Sequence, residues 1–244
     1  MRAAADPTFA PATRLVFREQ VLDRLRAAIA GGQLRMGEPI REREIAERMQ
    51  ISRAPIREAL RDLEKEGLVV TLPHRGACVA VYTDADVEEI YSLRAALEAL
   101  AIERAIARAT PDDVRALEEL ADAMGSLVAS GDVDASLRAD VAFHRRICAV
   151  ASHRRLLDTW ESLARQIQAI YTVTDLPKLV RQLDGYMANI GDRHRPIVDA
   201  IRTGDVPFGR RYITAHILQV AQILAEQRAA AARAKDGAPD PSAR

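Results

Sequence analysis

The stretch "REREIAERMQISRAPIREALRDLEKEGLVVTLPHRGACVAVY", Arg41 to Tyr82, decides how the first third of the chain folds. Its apolar residues recur at helical spacing twice: Ile45, Ala46 and Met49 on one short helix, then Ile56, Leu60 and Leu63 on a second. Gln50-Ile51 makes the turn between them, and Ser52 stands where a helix N-cap belongs. Pro55 would break a helix interior, but as the third residue after the cap its missing N–H is one that no helix bond needs. The Ser52 hydroxyl is then expected to accept from the Ala54 N–H. After Gly67 the period changes. "LVVTLPHRGACVAVY" is β-branched, broken by Pro73 and Gly76, and predicts a two-stranded hairpin.

Helix, turn, helix and hairpin in that order leave Ser52, Arg53 and Arg57 at the exposed start of the second helix. Arginines at i, i+4 there offer guanidinium forks to guanine edges or phosphates in a major groove. His74-Arg75-Gly76 at the hairpin tip makes a basic wing suited to phosphate or minor-groove contact. The plain alternative is a solvated helix face, with Arg53 and Arg57 paired to Glu58 and Asp62. Turn, cap and wing falling in order weigh for DNA.

Outward from this segment, Phe17, Val21, Leu25 and Ile29 form a helical stripe stopped by Gly31-Gly32. Downstream, Thr83-Asp84 is an N-cap signal, and six helices are predicted at about 84–109, 111–130, 134–150, 153–174, 178–203 and 205–231. Their punctuation is short ("ATPDD", "SGDVD", "ASHR", "TDLPK", "TGDVP"), so neighbouring helices are expected to run antiparallel. The predicted fold is mainly α: a winged helix-turn-helix domain at 13–82, then an antiparallel all-helical bundle at 83–231. Residues 1–12 and 232–244 are small, proline-containing and aperiodic, and read as disordered tails.

Composition agrees. The chain has 244 residues, 48% hydrophobic and 29% charged, with only 4% aromatic, which favours helices and a globular core. Net charge is zero, but residues 1–82 hold 14 Lys/Arg against 11 Asp/Glu and the remainder 21 against 24. The first part is therefore the one suited to a polyanion. Cys78 and Cys148 imply no disulfide framework. No apolar run is long enough to span a bilayer and no signal peptide opens the chain, so a cytoplasmic protein without a membrane partner is expected.

A second stretch, "RADVAFHRRI" (Arg138 to Ile147), places Asp140 and His144 four residues apart on the face of Val141, Ile147 and Cys148. His194 shares a face with Ile190, Ile197 and Ile201, and His216 lies near Tyr212, Val220 and Ile223. A lone histidine on an apolar face is usually a hydrogen-bonded core residue. Three of them with one acid match a divalent transition-metal site, one ion per chain of zinc, nickel, manganese or iron.

Two sets of motifs resemble one known family. "SRAPIREALRDLEKEGLV" looks like the recognition helix of the GntR family of bacterial winged-helix repressors, and "AAIAGGQLRMGEPIRE" like the segment before it. The resemblance implies DNA contacts from Arg43, Ser52, Arg53 and Arg57 and from the His74/Gly76 wing tip. "DVAFH", "RHRPIVDAI" and "GRRYITAHI" resemble the ligand-binding FCD domain of the FadR subfamily, which implies Asp140, His144, His194 and His216 as metal ligands. Gln50 stands where the family's turn usually has glycine, Met36 where proline precedes Gly37, Gly209 where alanine is usual and His153 where asparagine often opens a helix.

Arg94 and Glu98 fall on the inward face of the helix from 84, among Val87, Ile90, Ala101 and Ala105. They read either as a buried ion pair or, as resemblance to the family favours, as an effector site in which Arg94 clamps a small carboxylate. Trp160 and Tyr171 are taken as core. A metal-dependent hydrolase fused to a DNA-binding module is the competing function, but four ligands would saturate zinc and no free general base accompanies them. The expected function is a homodimeric regulator, a repressor, that binds palindromic double-stranded operator DNA under control of a small organic acid.

Overall fold

In the structure, a computed structural model, residues 12–174 and 189–236 are described, with side chains over 17–174 and 189–226. The chain divides between Val81 and Tyr82 into two compact units.

The first unit begins with α1 (Ala12–Ala30), then α2 (Glu42–Met49), α3 (Arg53–Lys65), β1 (Val69–Leu72) and β2 (Gly76–Val79). Val21, Leu25 and Ile29 of α1 are buried, as are Ile56, Ala59, Leu60 and Leu63 of α3, and these two helices pack together. Phe17, predicted to extend the α1 stripe, instead stays 38% exposed. Arg18 reaches Asp62, and Arg26 reaches Glu66 with Nε at 2.9 Å, fixing α1 along α3. The hairpin is antiparallel, from Val69 opposite Val79 to Leu72 opposite Gly76. A third short edge, which the hairpin reading did not include, forms where Pro39 bridges Cys78 and the Ile40 N–H donates to the Ala77 carbonyl.

Gln50 ends α2 in the left-handed region at φ 54°, and the Ile51 N–H reaches back to the Ala46 carbonyl. This is the turn that glycine closes without strain. Gln50 closes it all the same.

The second unit holds six helices among the described residues: α4 (Asp84–Ile106), α5 (Pro111–Ala129), α6 (Val133–Val150), α7 (Arg154–Val173), α8 (Ile190–Thr203) and α9 (Val206–Asp236). Thr83 and Thr110 open α4 and α5 with reciprocal capping boxes to Asp86 and Asp113, and Asp132 accepts from the Ala135 N–H at the start of α6. His153, unassigned from sequence, caps α7: its Nδ1 accepts from the Leu156 N–H at 3.3 Å. The helix expected over 178–203 is described only from Ile190, its earlier part lying outside the described residues. Residues 232–236, expected within a tail, are helical, since α9 runs on to Asp236 through an alanine-rich run of high helix propensity.

α4 is the centre of this bundle, lying against α6, α7, α8 and α9, while α5 packs on α6 and α8. Its buried residues include Tyr91, Arg94 and Glu98 alongside Val87, Ala95 and Ile102. Gly191 lets α8 approach α5 closely; a Cβ there would sit 2.5 Å from the Ala121 carbonyl oxygen. At Gly209, where alanine is usual, a Cβ would lie 3.2 Å from Ala200 and Ile102.

Candidate functional site

In the first unit, Ser52, Arg53 and Arg57 stand exposed at the start of α3. Ser52 has the extended backbone of an N-cap, yet its hydroxyl makes no cap hydrogen bond, which corrects the expected bond to Ala54. At an exposed helix start solvent can satisfy those N–H groups, and the hydroxyl stays available. The arginines do not pair with Glu58 and Asp62. Asp62 is taken by Arg18 and Lys65, and both forks turn back across the turn to Glu42. Arg43 is 80% exposed, its Nε 3.7 Å from Glu47. His74, Arg75 and Gly76 form the exposed hairpin tip, His74 and Gly76 both at positive φ.

In the second unit, α6, α8 and α9 bring Asp140, His144, His194 and His216 together, their ligand atoms all within 4.8 Å of one another and all four residues buried. His194 Nε2 lies 3.0 Å from Asp140 Oδ1 and 3.3 Å from His144 Nε2. Ligands bound to one ion at about 2.0–2.2 Å stand about 3.0–3.6 Å apart, so these spacings fit a shared cation.

The outer nitrogens of two rings strengthen the fit. His194 Nδ1 lies 2.8 Å from the Ile190 carbonyl, and His144 Nδ1 lies 2.5 Å from Glu98 Oε2. A carbonyl and a carboxylate only accept, so both Nδ1 atoms carry a proton and both Nε2 atoms face inward, where a neutral ring offers its lone pair. With both rings neutral, two bare nitrogens 3.3 Å apart repel, and a cation shared between them removes that repulsion. Burial pushes both His144 and His216 below the ordinary imidazole value, keeping them in the neutral form that ligates. Burial alone would raise Asp140, but His144, His194 and Arg94 outweigh it and hold the carboxyl well below the usual range.

Glu98 joins this cluster to Arg94. It is fully buried, and its Oε1 accepts from Arg94 Nε at 2.8 Å and from the Trp160 indole N–H at 2.7 Å. Against burial, His144 and Arg94 draw its carboxyl down to about 2. Arg94 also places Nη2 at 3.8 Å from Asp140, and its guanidinium carbon lies 5.8 Å from the Tyr91 ring centre. Its terminal nitrogens make no hydrogen bond among the described residues, so the ion pair and a further ligand are compatible. Trp160 is core as expected, with a polar task at its edge. Tyr171 is half-buried and takes a 3.2 Å hydrogen bond from the Tyr91 hydroxyl.

Residues 89–219 match the FCD domain, and residues 17–79 match the gntR family of bacterial regulatory proteins. The chain belongs to the GntR family. This GntR protein is 31% identical over 214 residues to the "Probable D-xylose utilization operon transcriptional repressor" of Paenarthrobacter nicotinovorans, covering 87% of this chain and 90% of the relative. It is 30% identical over 182 residues, 74% of each chain, to the "Gluconate operon transcriptional repressor" of Bacillus licheniformis. Among solved structures, E. coli McbR/YncC superposes with a TM-score of 0.66 at 21% identity, covering 87% of this chain and 98% of that one, and shares its fold. The GntR protein is thus a DNA-binding transcriptional regulator and not an enzyme. Glu98, an inward carboxylate beside the cluster, already accepts from three donors. Among the described residues no helix is long and apolar enough to cross a membrane.

Proposed function

We propose that this GntR protein is a cytoplasmic repressor of the FadR subfamily, reading a palindromic operator as a homodimer and releasing it when a small organic acid binds in the helical bundle. The winged helix of residues 13–82 supplies the DNA contacts: Ser52, Arg53 and Arg57 in the major groove, with Arg43 and the His74-Arg75-Gly76 tip on the backbone or minor groove. The bundle of residues 83–231 supplies the switch. Asp140, His144, His194 and His216 would hold one zinc, nickel, manganese or iron ion, whose chemistry there is that of a Lewis acid attracting a carboxylate. Arg94 clamps that carboxylate with its terminal nitrogens while Glu98 steadies its Nε. The relative named for a gluconate operon suits a hydroxylated acid of sugar size.

The observation that carries this reading is the buried convergence of three imidazoles and one carboxylate, with the Arg94 guanidinium 3.8 Å from Asp140. Native mass spectrometry with elemental analysis of the purified full chain tests it. The expected species is a dimer with one ion per chain whose operator complex dissociates with a hydroxylated carboxylate. A wild-type protein that takes up none of zinc, nickel, manganese or iron near one per chain overturns the site reading.

A further inference from the structure

Glu42 opens α2, and its carboxylate meets the start of α3 across the turn. A single oxygen, Oε2, accepts from Arg53 Nη2 at 2.8 Å and Nε at 3.2 Å, and from Arg57 Nε at 2.9 Å. Both guanidinium groups are therefore gripped by their inner edges. Nη1 of Arg53 and both terminal nitrogens of Arg57 make no hydrogen bond among the described residues. Exposed ion pairs of this kind contribute little to stability. Here both arginines are more than half exposed, at 55% and 56%, so folding alone does not account for one acid collecting both.

The effect on the arginines themselves does account for it. A flexible arginine loses rotamer freedom when it engages a base, and a fork already held loses less. Base reading depends on direction, whereas binding to phosphates at large depends on charge. A carboxylate beside two guanidinium groups therefore has opposite effects on the two modes. It aligns the forks that read bases, and it cancels one of the two charges that draw the protein to any duplex. Against the partial burial that would raise it, the Arg53 and Arg57 hydrogen bonds hold the Glu42 carboxyl below the ordinary glutamate value, so it is ionised when DNA is met.

The geometry points to Glu42 as a specificity-determining residue that aligns Arg53 and Arg57 for base contact and suppresses their indiscriminate attraction to phosphate. This rests on the reading of Arg53 and Arg57 as DNA contacts given under the proposed function.

The test uses the full chain, a duplex selected by the wild-type protein from a randomised pool, and a scrambled duplex of equal length. E42Q removes the charge at nearly constant shape. It is expected to bind the scrambled duplex more tightly, with a log K against log salt slope steeper by about 1 per protomer. Its preference for the selected duplex should fall on the order of tenfold. E42D keeps the charge and shortens the reach, so the salt slope should stay at the wild-type value while the preference still falls. An unchanged preference in both variants, each folded by circular dichroism, overturns the inference; if E42Q does not fold, an unchanged preference in E42D does so alone. A wild-type protein that enriches no sequence from the pool would instead overturn the DNA reading beneath it.

Discussion

Glu98→Gln probes the centre of the proposed switch without altering its shape. The carboxylate accepts three hydrogen bonds, two at Oε1 from Arg94 and Trp160 and one at Oε2 from His144. An amide has one oxygen, and the two donors at the Oε1 position require it there. Its NH2 group then faces His144 Nδ1, which must become an acceptor. The proton moves to Nε2, the nitrogen that points at Asp140 and His194. One ligand is lost by tautomer reversal alone. Removing such an orienting partner typically weakens metal binding 10–100-fold.

A second effect comes from charge. Arg94 is 2% exposed, and Glu98 is its nearest counter-ion, with Asp140 a further 1 Å away. Breaking a buried pair from one side costs about 3–5 kcal/mol, and the retained hydrogen bond and Asp140 place this case at the lower end. For a unit of this size that corresponds to a fall of about 6–12 °C in unfolding midpoint. Competition against a chromophoric chelator reads the first effect and calorimetry without metal reads the second. Wild-type metal affinity in a folded Glu98→Gln protein would refute the tautomer argument, whatever the midpoint does.

Three further outcomes follow from single positions. Arg57→Ala should lose about 1–3 kcal/mol of operator binding per half-site in a gel-shift titration while keeping its melting profile, because the side chain is more than half exposed and its ion pair with Glu42 is a surface one. Gln50→Gly should stabilise the first unit by about 1 kcal/mol in urea unfolding, since φ 54° strains any residue with a Cβ; a loss of stability would mean that the Gln50 side chain does something here that its backbone does not reveal. Gly191→Ala should cost the second unit about 1–3 kcal/mol or more and lower metal occupancy by mass spectrometry, because a Cβ 2.5 Å from the Ala121 oxygen must push α8, and His194 with it, away from α5. An unchanged midpoint would show that the helices are not in that contact.

The fold was legible where local physics decides it. The period change at Gly67 gives the hairpin, Pro55 three residues past Ser52 gives the start of α3, and Thr83, Thr110 and Asp132 announce three of the bundle helices through their caps. Where the reading slipped, a partner distant in sequence was the cause. Phe17 continues the stripe of Val21, Leu25 and Ile29, yet it stays exposed while those three are buried, and periodicity alone does not show which end of a stripe its partner covers. Asp62 looks like a partner for Arg57 five residues along the helix, yet α1 brings Arg18 to it, and Arg57 turns to an acid 15 residues earlier.

The candidate metal cluster was legible for a different reason. Polar residues on apolar helical faces are costly, so Asp140, His144, His194 and His216 each stood out before any contact was known. What periodicity could not supply was which outer groups orient them. Helical spacing puts Glu98 on the inward face and pairs it with Arg94 at i, i+4, a partner within its own helix. Its bonds to His144 and Trp160 span 46 and 62 residues. They alter the meaning of the Arg94 pair: the same carboxylate that neutralises Arg94 also sets which nitrogen of His144 faces the cluster. A ligand that draws the Arg94 guanidinium toward itself therefore pulls on the group that orients a ring of the candidate metal site, so under the proposed function effector and metal are expected to report on each other through Glu98. The coupling would be reciprocal, with each raising or lowering affinity for the other by the same factor.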